Sequence, residues 1–218
     1  DRIEIVAQRE SREMTQDILS LDEGYSTTRL IFNDKCLMLN EDNSQFNIEN
    51  STSKKGGLRT KGYFKKSFDD KPLISIITVV FNGEKYLEET IQSVINQTYS
   101  NVEYIIIDGG SSDGTLDIIK KYEDKIDYWV SEKDRGIYDA MNKGIDVASG
   151  KWLNFMNSGD ELNDNKVIEN IFKNCIDKDE YVIHGKVALI YKNDLIAYYG
   201  NTKIIPHQGA FFKTKIMK

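Results

Sequence analysis

The sequence predicts an α/β fold, with a mainly parallel, open sheet flanked by helices. Three observations predict it. From Pro72 onward, apolar runs of strand length alternate with stretches whose apolar residues recur at helical spacing, and the cycle repeats three times. The first run, Leu73-Ile74-Ser75-Ile76-Ile77-Thr78-Val79-Val80-Phe81, and the run Ile105-Ile106-Ile107 lack the polar alternation of a surface strand, so both faces are expected to be covered. Each run also stops at a turn, Asn82-Gly83 after the first and Asp108-Gly109-Gly110 after the second.

Taken in order, residues 1–70 are polar and read as an N-terminal extension or accessory segment ahead of a domain over 71–218. Arg9 to Leu21 suits a short helix. Arg29 to Phe32 and Lys35 to Leu39 flank Asn33-Asp34 as a small hairpin, and Ser51 to Gly57 has the composition of a linker. After the first strand, Leu87, Ile91, Val94 and Ile95 form a helix face, followed by a strand from Val102 to Ile107. Leu116, Ile119 and Tyr122 mark the second helix and Ile126 to Val130 the next strand. Ile137, Met141, Gly144 and Ala148 mark the third helix, and Trp152 to Met156 the fourth strand. Val167, Ile168, Ile171, Phe172 and Cys175 indicate a further helix. Tyr181 to Tyr191 and Leu195 to Tyr199, joined through Lys192-Asn193-Asp194, indicate an antiparallel hairpin added to the sheet.

Composition narrows the class. A chain of 218 residues, 39% hydrophobic and 11% aromatic, can bury one sizeable core. Its net charge of -6 argues against nonspecific attraction to nucleic acid, so no nucleic-acid partner is expected. No apolar run is long enough to span a bilayer, and Asp1-Arg2-Ile3-Glu4 does not open a signal peptide, so the expected compartment is the cytoplasm. Cys36 and Cys175 stand far apart without a second ligand pair and read as ordinary reduced thiols. Lys54-Lys55, Lys65-Lys66 and Lys120-Lys121 read as solvated, with a basic edge that suits peripheral contact with anionic lipid.

The turns at the strand ends carry the chemistry. Asn82-Gly83-Glu84-Lys85 lacks the glycine spacing of a dinucleotide site. Gly109 and Gly114 have phosphate-loop separation, but Thr115 stands where that loop needs lysine. No Gly-x-Ser-x-Gly elbow accompanies His184 or His207. What remains is a rim of Asn82, Asp108, Asp134 and Asn157-Ser158-Gly159-Asp160, delivered by successive strands to the edge where open α/β sheets hold ligands. A carboxylate only accepts, so Asp108 facing a base favours one with a ring N–H, such as uracil, thymine or guanine. Asp160, followed by Glu161, suits a hard divalent cation that also grips phosphate oxygens. A turn-forming role for Asp108, a solvated turn over Asn157 to Glu161 and a surface ion pair at Asp134-Arg135 are the bland readings. Asp113 is the better candidate to cap the following helix.

Four blocks, in this order and spacing, resemble family 2 glycosyltransferases of the GT-A fold: Pro72 to Asn82, Ile107 to Thr115, Asp134 to Gly144, and Phe155 to Asp160. The resemblance implies that Val79, Val80, Phe81 and Asn82 line the base pocket and that Asp108 bonds the uracil ring nitrogen. It places Gly110, Asp134 and Gly136 near the nucleotide-sugar, with Asn157 and Ser158 beside it, and Asp160 on a divalent cation, Mg or Mn. Two departures stand out. Val79-Val80-Phe81 replaces the frequent Pro-Thr-Tyr, and Asn157-Ser158-Gly159-Asp160 replaces the frequent Asp-x-Asp-Asp.

The implied reaction is inverting transfer of a sugar from a nucleotide-sugar, UDP-linked by preference, to a hydroxyl of a glycan or lipid-linked saccharide acceptor. It is expected in the cytoplasm, at the cytoplasmic face of a membrane. His207 and Gln208 resemble the segment ahead of the family's acidic base motif. That motif is not found before Lys218, so the general base stays unassigned and the chain is expected to lack the end of the catalytic domain. The alternative function is a nucleotide-sugar-binding or inactive module that acts through the N-terminal segment.

Overall fold

The structure, a computed structural model, describes residues 53–173, 182–184, 187–191, 194–199 and 210–218, all within the compact unit Asn43–Lys218. The helix expected at Arg9 to Leu21, the hairpin at 29–39, both cysteines, His207 and Gln208 lie outside the described residues.

Nine strands are described: β1 Lys54–Gly56, β2 Ile74–Val80, β3 Val102–Asp108, β4 Tyr128–Ser131, β5 Trp152–Asn157, β6 Val182–His184, β7 Val187–Tyr191, β8 Asp194–Tyr199 and β9 Ala210–Lys213. Four helices accompany them: α1 Leu87–Ile95, α2 Thr115–Lys121, α3 Ile137–Val147 and α4 Val167–Lys173. The main sheet runs β1-β4-β3-β2-β5-β9-β6. β4, β3, β2 and β5 are parallel, whereas β1 and β9 pair antiparallel to their neighbours. The chain steps outward from β2 to β3 to β4, then returns past β2 to lay down β5. The strand order therefore reverses between β2 and β5, where open sheets of this class form their ligand crevice at the carboxyl ends.

Side-chain alternation along the strands divides the core. Ile74, Ile76 and Val80 of β2, with Tyr104 and Ile106 of β3, meet α1, α2 and α4 through Leu87, Ile91, Val94, Ile119 and Ile168. Ile77 and Val79, with Ile105 and Ile107, meet α3 through Ala140, Met141 and Ile145 on the other face. Both faces of β2 and β3 are covered, as an unbroken apolar run requires. α3 comes close to the sheet because Gly144 faces Ile77; a Cβ there would lie 2.4 Å from Ile77 Cγ2. On the α4 face, the Phe172 ring packs edge-on between Trp152 and Phe211, with centroids 5.6 and 5.4 Å away. That cluster seats β9 beside β5, with Phe211 buried in the core.

Two expectations are corrected. From Lys54, the stretch read as a linker is strand β1, paired with β4, and it leads into a 3-10 turn over Leu58–Lys61. Its polar composition reflects an edge strand, where lysines discourage further pairing. The late hairpin, β7-β8, forms a separate two-stranded sheet, and the main sheet is extended by antiparallel pairing of β1 on one side and of β9 and then β6 on the other. Alternation alone cannot say which sheet a hairpin joins.

The segment after β1 also completes the floor of the sheet. Glu103 and Asp127, both buried, sit near the amino ends of β3 and β4. Glu103 accepts bonds from Ser75 Oγ at 2.5 Å, Ser149 N at 2.8 Å and Ser149 Oγ at 2.6 Å, with Arg59 Nη1 3.4 Å away. Asp127 Oδ2 accepts from the Tyr104 amide and from Lys65 Nζ, each at 2.8 Å. Burial raises the Asp127 pKa above its ordinary value, and Lys65 and the Tyr104 amide oppose that rise. A carboxyl whose folded-state pKa is raised favours the fold when protonated, and that contribution is lost as pH climbs through the raised value. Lys65→Met is therefore expected to cost about 1–3 kcal/mol in urea unfolding at neutral pH. The loss should shrink as pH falls toward 3.8, where Asp127 no longer needs a cation. A loss that stays constant with pH would place the effect of Lys65 in its aliphatic stem.

Candidate functional site

The carboxyl ends of β2, β3, β4 and β5 form one rim, and β3 supplies its centre. Asp108, the last residue of β3, is fully buried, and a buried carboxylate must be hydrogen-bonded. Oδ2 accepts from Ser131 Oγ at the end of β4, at 2.5 Å. Oδ1 accepts from Ser111 Oγ at 2.5 Å, and the Ser111 amide lies 3.2 Å from both oxygens. All these donors are neutral. They occupy three of the roughly four acceptor positions that a carboxylate offers.

The β2 turn is stitched to the β3 turn. The Asn82 amide donates to Ser111 Oγ at 2.7 Å, and Asn82 Oδ1 accepts from the Ser112 amide at 3.0 Å. A chain of hydrogen bonds thus runs from Asn82 N–H through the Ser111 hydroxyl to Asp108. Glu84 N donates to Asp113 Oδ2 and Gly83 N to Thr115 Oγ1, at 3.1 and 2.8 Å. Asn82 sits at φ 52, the one left-handed non-glycine among the described residues, a conformation asparagine tolerates better than most. Asp113, expected to cap α2, stands one residue ahead of the helix N-cap, Gly114; its Oδ1 accepts from the Thr115 amide at 3.0 Å and the Thr115 hydroxyl at 2.5 Å. Burial opposes its charge, but the Thr115 hydroxyl and amide and the Glu84 amide hold its pKa below the ordinary value.

The β4 turn joins the same rim. Glu132 N donates to the Asp108 carbonyl at 3.0 Å. Gly110, at φ 81, passes so close to this turn that a Cβ would lie 3.2 Å from Lys133 N. Asp134 Oδ1 accepts from Gly136 N at 2.8 Å, which shapes the entry to α3. Arg135 pairs with Asp139 at 3.0 Å and not with Asp134, and Asp139 stays charged because Arg135 and Lys143 outweigh its partial burial.

At the β5 end, Ser158 N donates to the Val79 carbonyl at 3.2 Å, and Asp160 closes a turn by accepting Asn157 N on Oδ2 at 2.7 Å. Ser158 is buried, and its Oγ has no hydrogen-bond partner among the described residues. It lies under Gly83, where a Cβ would come within 2.6 Å of it, at the junction of β2 and β5.

Asn82, Asp108, Gly110, Asp134 and Gly136 are therefore on adjoining turns, and Asn157, Ser158 and Asp160 are on the turn beside β2. Val79 and Val80 differ from the expectation. Both side chains are core, and their carbonyls accept from Ser158 N and Gly109 N. The surface at this strand end belongs to Asn82 and Phe81, whose side of the chain is 49% exposed. Glu161 lines a cleft beside α1 with Glu89 and Gln92. Ser131 was not singled out by the sequence, and Ser111 and Thr115 only within their motif; the three-residue spacing from Asp108 to Ser111 is the one local signal among them.

Among the described residues no three His, Cys, Asp or Glu side chains converge as a metal cage. A single backbone-oriented carboxylate such as Asp160 instead fits ions that take one or two protein ligands and complete their shell with phosphate and water. No helix among the described residues is long and apolar enough to cross a membrane.

The glycosyl transferase family 2 model matches residues 75–216. An uncharacterized glycosyltransferase of Mycobacterium tuberculosis is 33% identical over 158 residues, covering 67% of this chain and 60% of that protein. The chain thus spans about three fifths of that relative's length. TuaG of Bacillus subtilis, named as a candidate glycosyltransferase of teichuronic acid biosynthesis, is 39% identical over 101 residues, 44% of this chain and 40% of its own length. The fold is shared with the mannosyltransferase PcManGT from Pyrobaculum calidifontis, solved with GDP-Man and Mn2+, at a TM-score of 0.57, 19% identity and coverage of 73% and 50% of the two chains. It is also shared with S. aureus TarS 1-349, at a TM-score of 0.53, 18% identity and coverage of 66% and 48%.

The left-handed Asn82 supplies a test of the stitched rim. Asn82→Ala should lower stability by about 1–2 kcal/mol, whereas Asn82→Gly, which keeps φ without strain, should lose less in the same thermal unfolding experiment. Equal losses would place the cost in the Oδ1 bond to Ser112 instead.

Proposed function

Because the chain belongs to glycosyl transferase family 2, we propose that it is the donor-binding part of an inverting enzyme that moves a sugar from a UDP-sugar to a saccharide hydroxyl. The acceptor is a glycan or a lipid-linked saccharide, and the reaction takes place at the cytoplasmic face of a membrane. The name of TuaG supports a polysaccharide setting.

One observation carries the reading: Asp108 is buried at the centre of the rim with neutral donors and one acceptor position to spare. An acceptor-only group at the bottom of the crevice rejects cytosine and adenine, which present no ring N–H at the matching edge, and accepts uracil. Phe81 offers a ring for the base to lie against, and the Asn82 turn fixes its place. Ser158 Oγ supplies a hydroxyl to the ribose or diphosphate from the β2-β5 junction. Asp134 and Gly136 at the head of α3 face the sugar side.

Asp160 is the residue we assign to a divalent cation, Mg or Mn. When bound, such an ion neutralises charge on the departing diphosphate. The Asn157 amide orients the carboxylate for that role. Removal of the acceptor proton is assigned to none of the described rim residues.

UDP with Mn is expected to raise the melting temperature, by the equivalent of about 2.7 kcal/mol at a hundredfold excess over Kd. Asp108→Asn keeps the shape but places a donor where an acceptor is needed, and should abolish most of that rise. GDP is the comparison, since guanine also presents a ring N–H. No shift with either nucleotide in Mg or Mn would overturn the assignment. Release of UDP from UDP-sugars with a saccharide acceptor tests turnover separately, and binding without release would identify a donor-binding module.

A further inference from the structure

We propose that the flank from Lys54 to Phe68 is a docking surface for the anionic face of a lipid bilayer. Lys54, Lys55, Arg59, Lys61, Lys65 and Lys66 fall within this stretch, which contains no Asp or Glu, in a chain whose net charge is -6. Arg59 and Lys65 are committed to Glu103 and Asp127. Lys61 and Lys66 form no ion pair among the described residues, and both are exposed.

Between these cations stand three exposed rings, Tyr63 at 67%, Phe64 at 66% and Phe68 at 57%. They are held outward by the backbone beneath them. Tyr63 N donates to the Leu58 carbonyl at 3.1 Å, Asn101 Nδ2 donates to the carbonyls of Lys66 and Lys71 at 3.0 and 2.8 Å, and Ser67 Oγ accepts Leu73 N at 3.0 Å. Backbone groups of the segment bond to the domain, while its three rings stand out in solvent beside the exposed Lys61 and Lys66. A soluble polyanion would satisfy the lysines but leave three rings in water. A bilayer satisfies both, because aromatic rings settle at headgroup level while lysines meet the anionic surface.

From Leu58 onward the patch lies at the amino ends of the strands, beside Asn101 and Asp127, whereas the rim lies at their carboxyl ends; Lys54, opposite Ser131 at the end of β4, is the one lysine of the stretch on the rim side. A seven-residue strand is about 20 Å long, so a bilayer seated here leaves the rim open and facing away from the headgroups. The surface is then a tether, and it suits an acceptor whose reacting hydroxyl stands well clear of the lipid. The inference does not rest on the donor assignment, and UDP-induced stabilisation measured on the same proteins keeps the two separable.

The test is co-sedimentation of the full chain with vesicles of phosphatidylcholine alone or with about 30% phosphatidylglycerol. Binding is expected with phosphatidylglycerol, weakening with salt. Lys61→Ala with Lys66→Ala should weaken it roughly ten- to thirtyfold, and Phe64→Ser with Phe68→Ser by about tenfold or more, with unchanged melting temperatures. As a second measurement, Phe64→Trp should show emission shifted to shorter wavelength on adding anionic vesicles. No binding to phosphatidylglycerol vesicles, or an unshifted Phe64→Trp spectrum, would overturn the proposal. So would equal binding to dextran sulfate that survives removal of both phenylalanines, which would identify a polyanion site.

Discussion

The rim depends on one buried negative charge. Stripped of water at the end of a central strand, the Asp108 carboxylate has to recruit protons, and it recruits them from two directions. Ser131 ties it to β4, and Ser111 folds its own turn back over it and passes the connection on to Asn82 after β2. Three strand ends are thereby fixed relative to one another by a single chain of hydrogen bonds. Such chains polarise each member, so breaking one link is felt by the rest.

The sheet solves the same problem in the opposite way at its other end. Glu103 and Asp127 are as deeply buried as Asp108, yet each is approached by a cation from the segment after β1. At the floor the charge is cancelled. At the rim it is hydrogen-bonded by neutral donors, with no cation among its partners in the described residues. A purely structural acid would gain from a lysine or arginine neighbour, and among the described residues the side-chain partners of Asp108 are the neutral Ser111 and Ser131. This contrast between two poles of one sheet is the physical reason for reading Asp108 as more than a turn residue.

Much of this architecture was legible in the sequence. The unbroken apolar runs of β2 and β3 and the helical spacing of α1, α2 and α3 follow directly from burial on two faces or one. Asp113 ahead of α2 followed from residue type and position alone. The long-range partners did not. Ser131 sits 23 residues from Asp108 and meets it only because β4 is laid beside β3. The burial of the Val79 and Val80 side chains was not legible from the motif, because side chains near a strand end alternate between faces and both faces here are core. The stretch from Lys54 looked like a linker because an edge strand guarded by lysines has a linker's composition.

The flank that joins this edge has a bearing on where the protein can be divided. The family match begins at residue 75, so by homology the domain starts at β2. By charge balance it starts earlier, because the cations that answer Glu103 and Asp127 are Arg59 and Lys65. A fragment cut at the homology boundary would contain every strand of the parallel core and still expose two acids with nothing to oppose them. The unit that is inherited and the unit that folds are, in this chain, of different lengths.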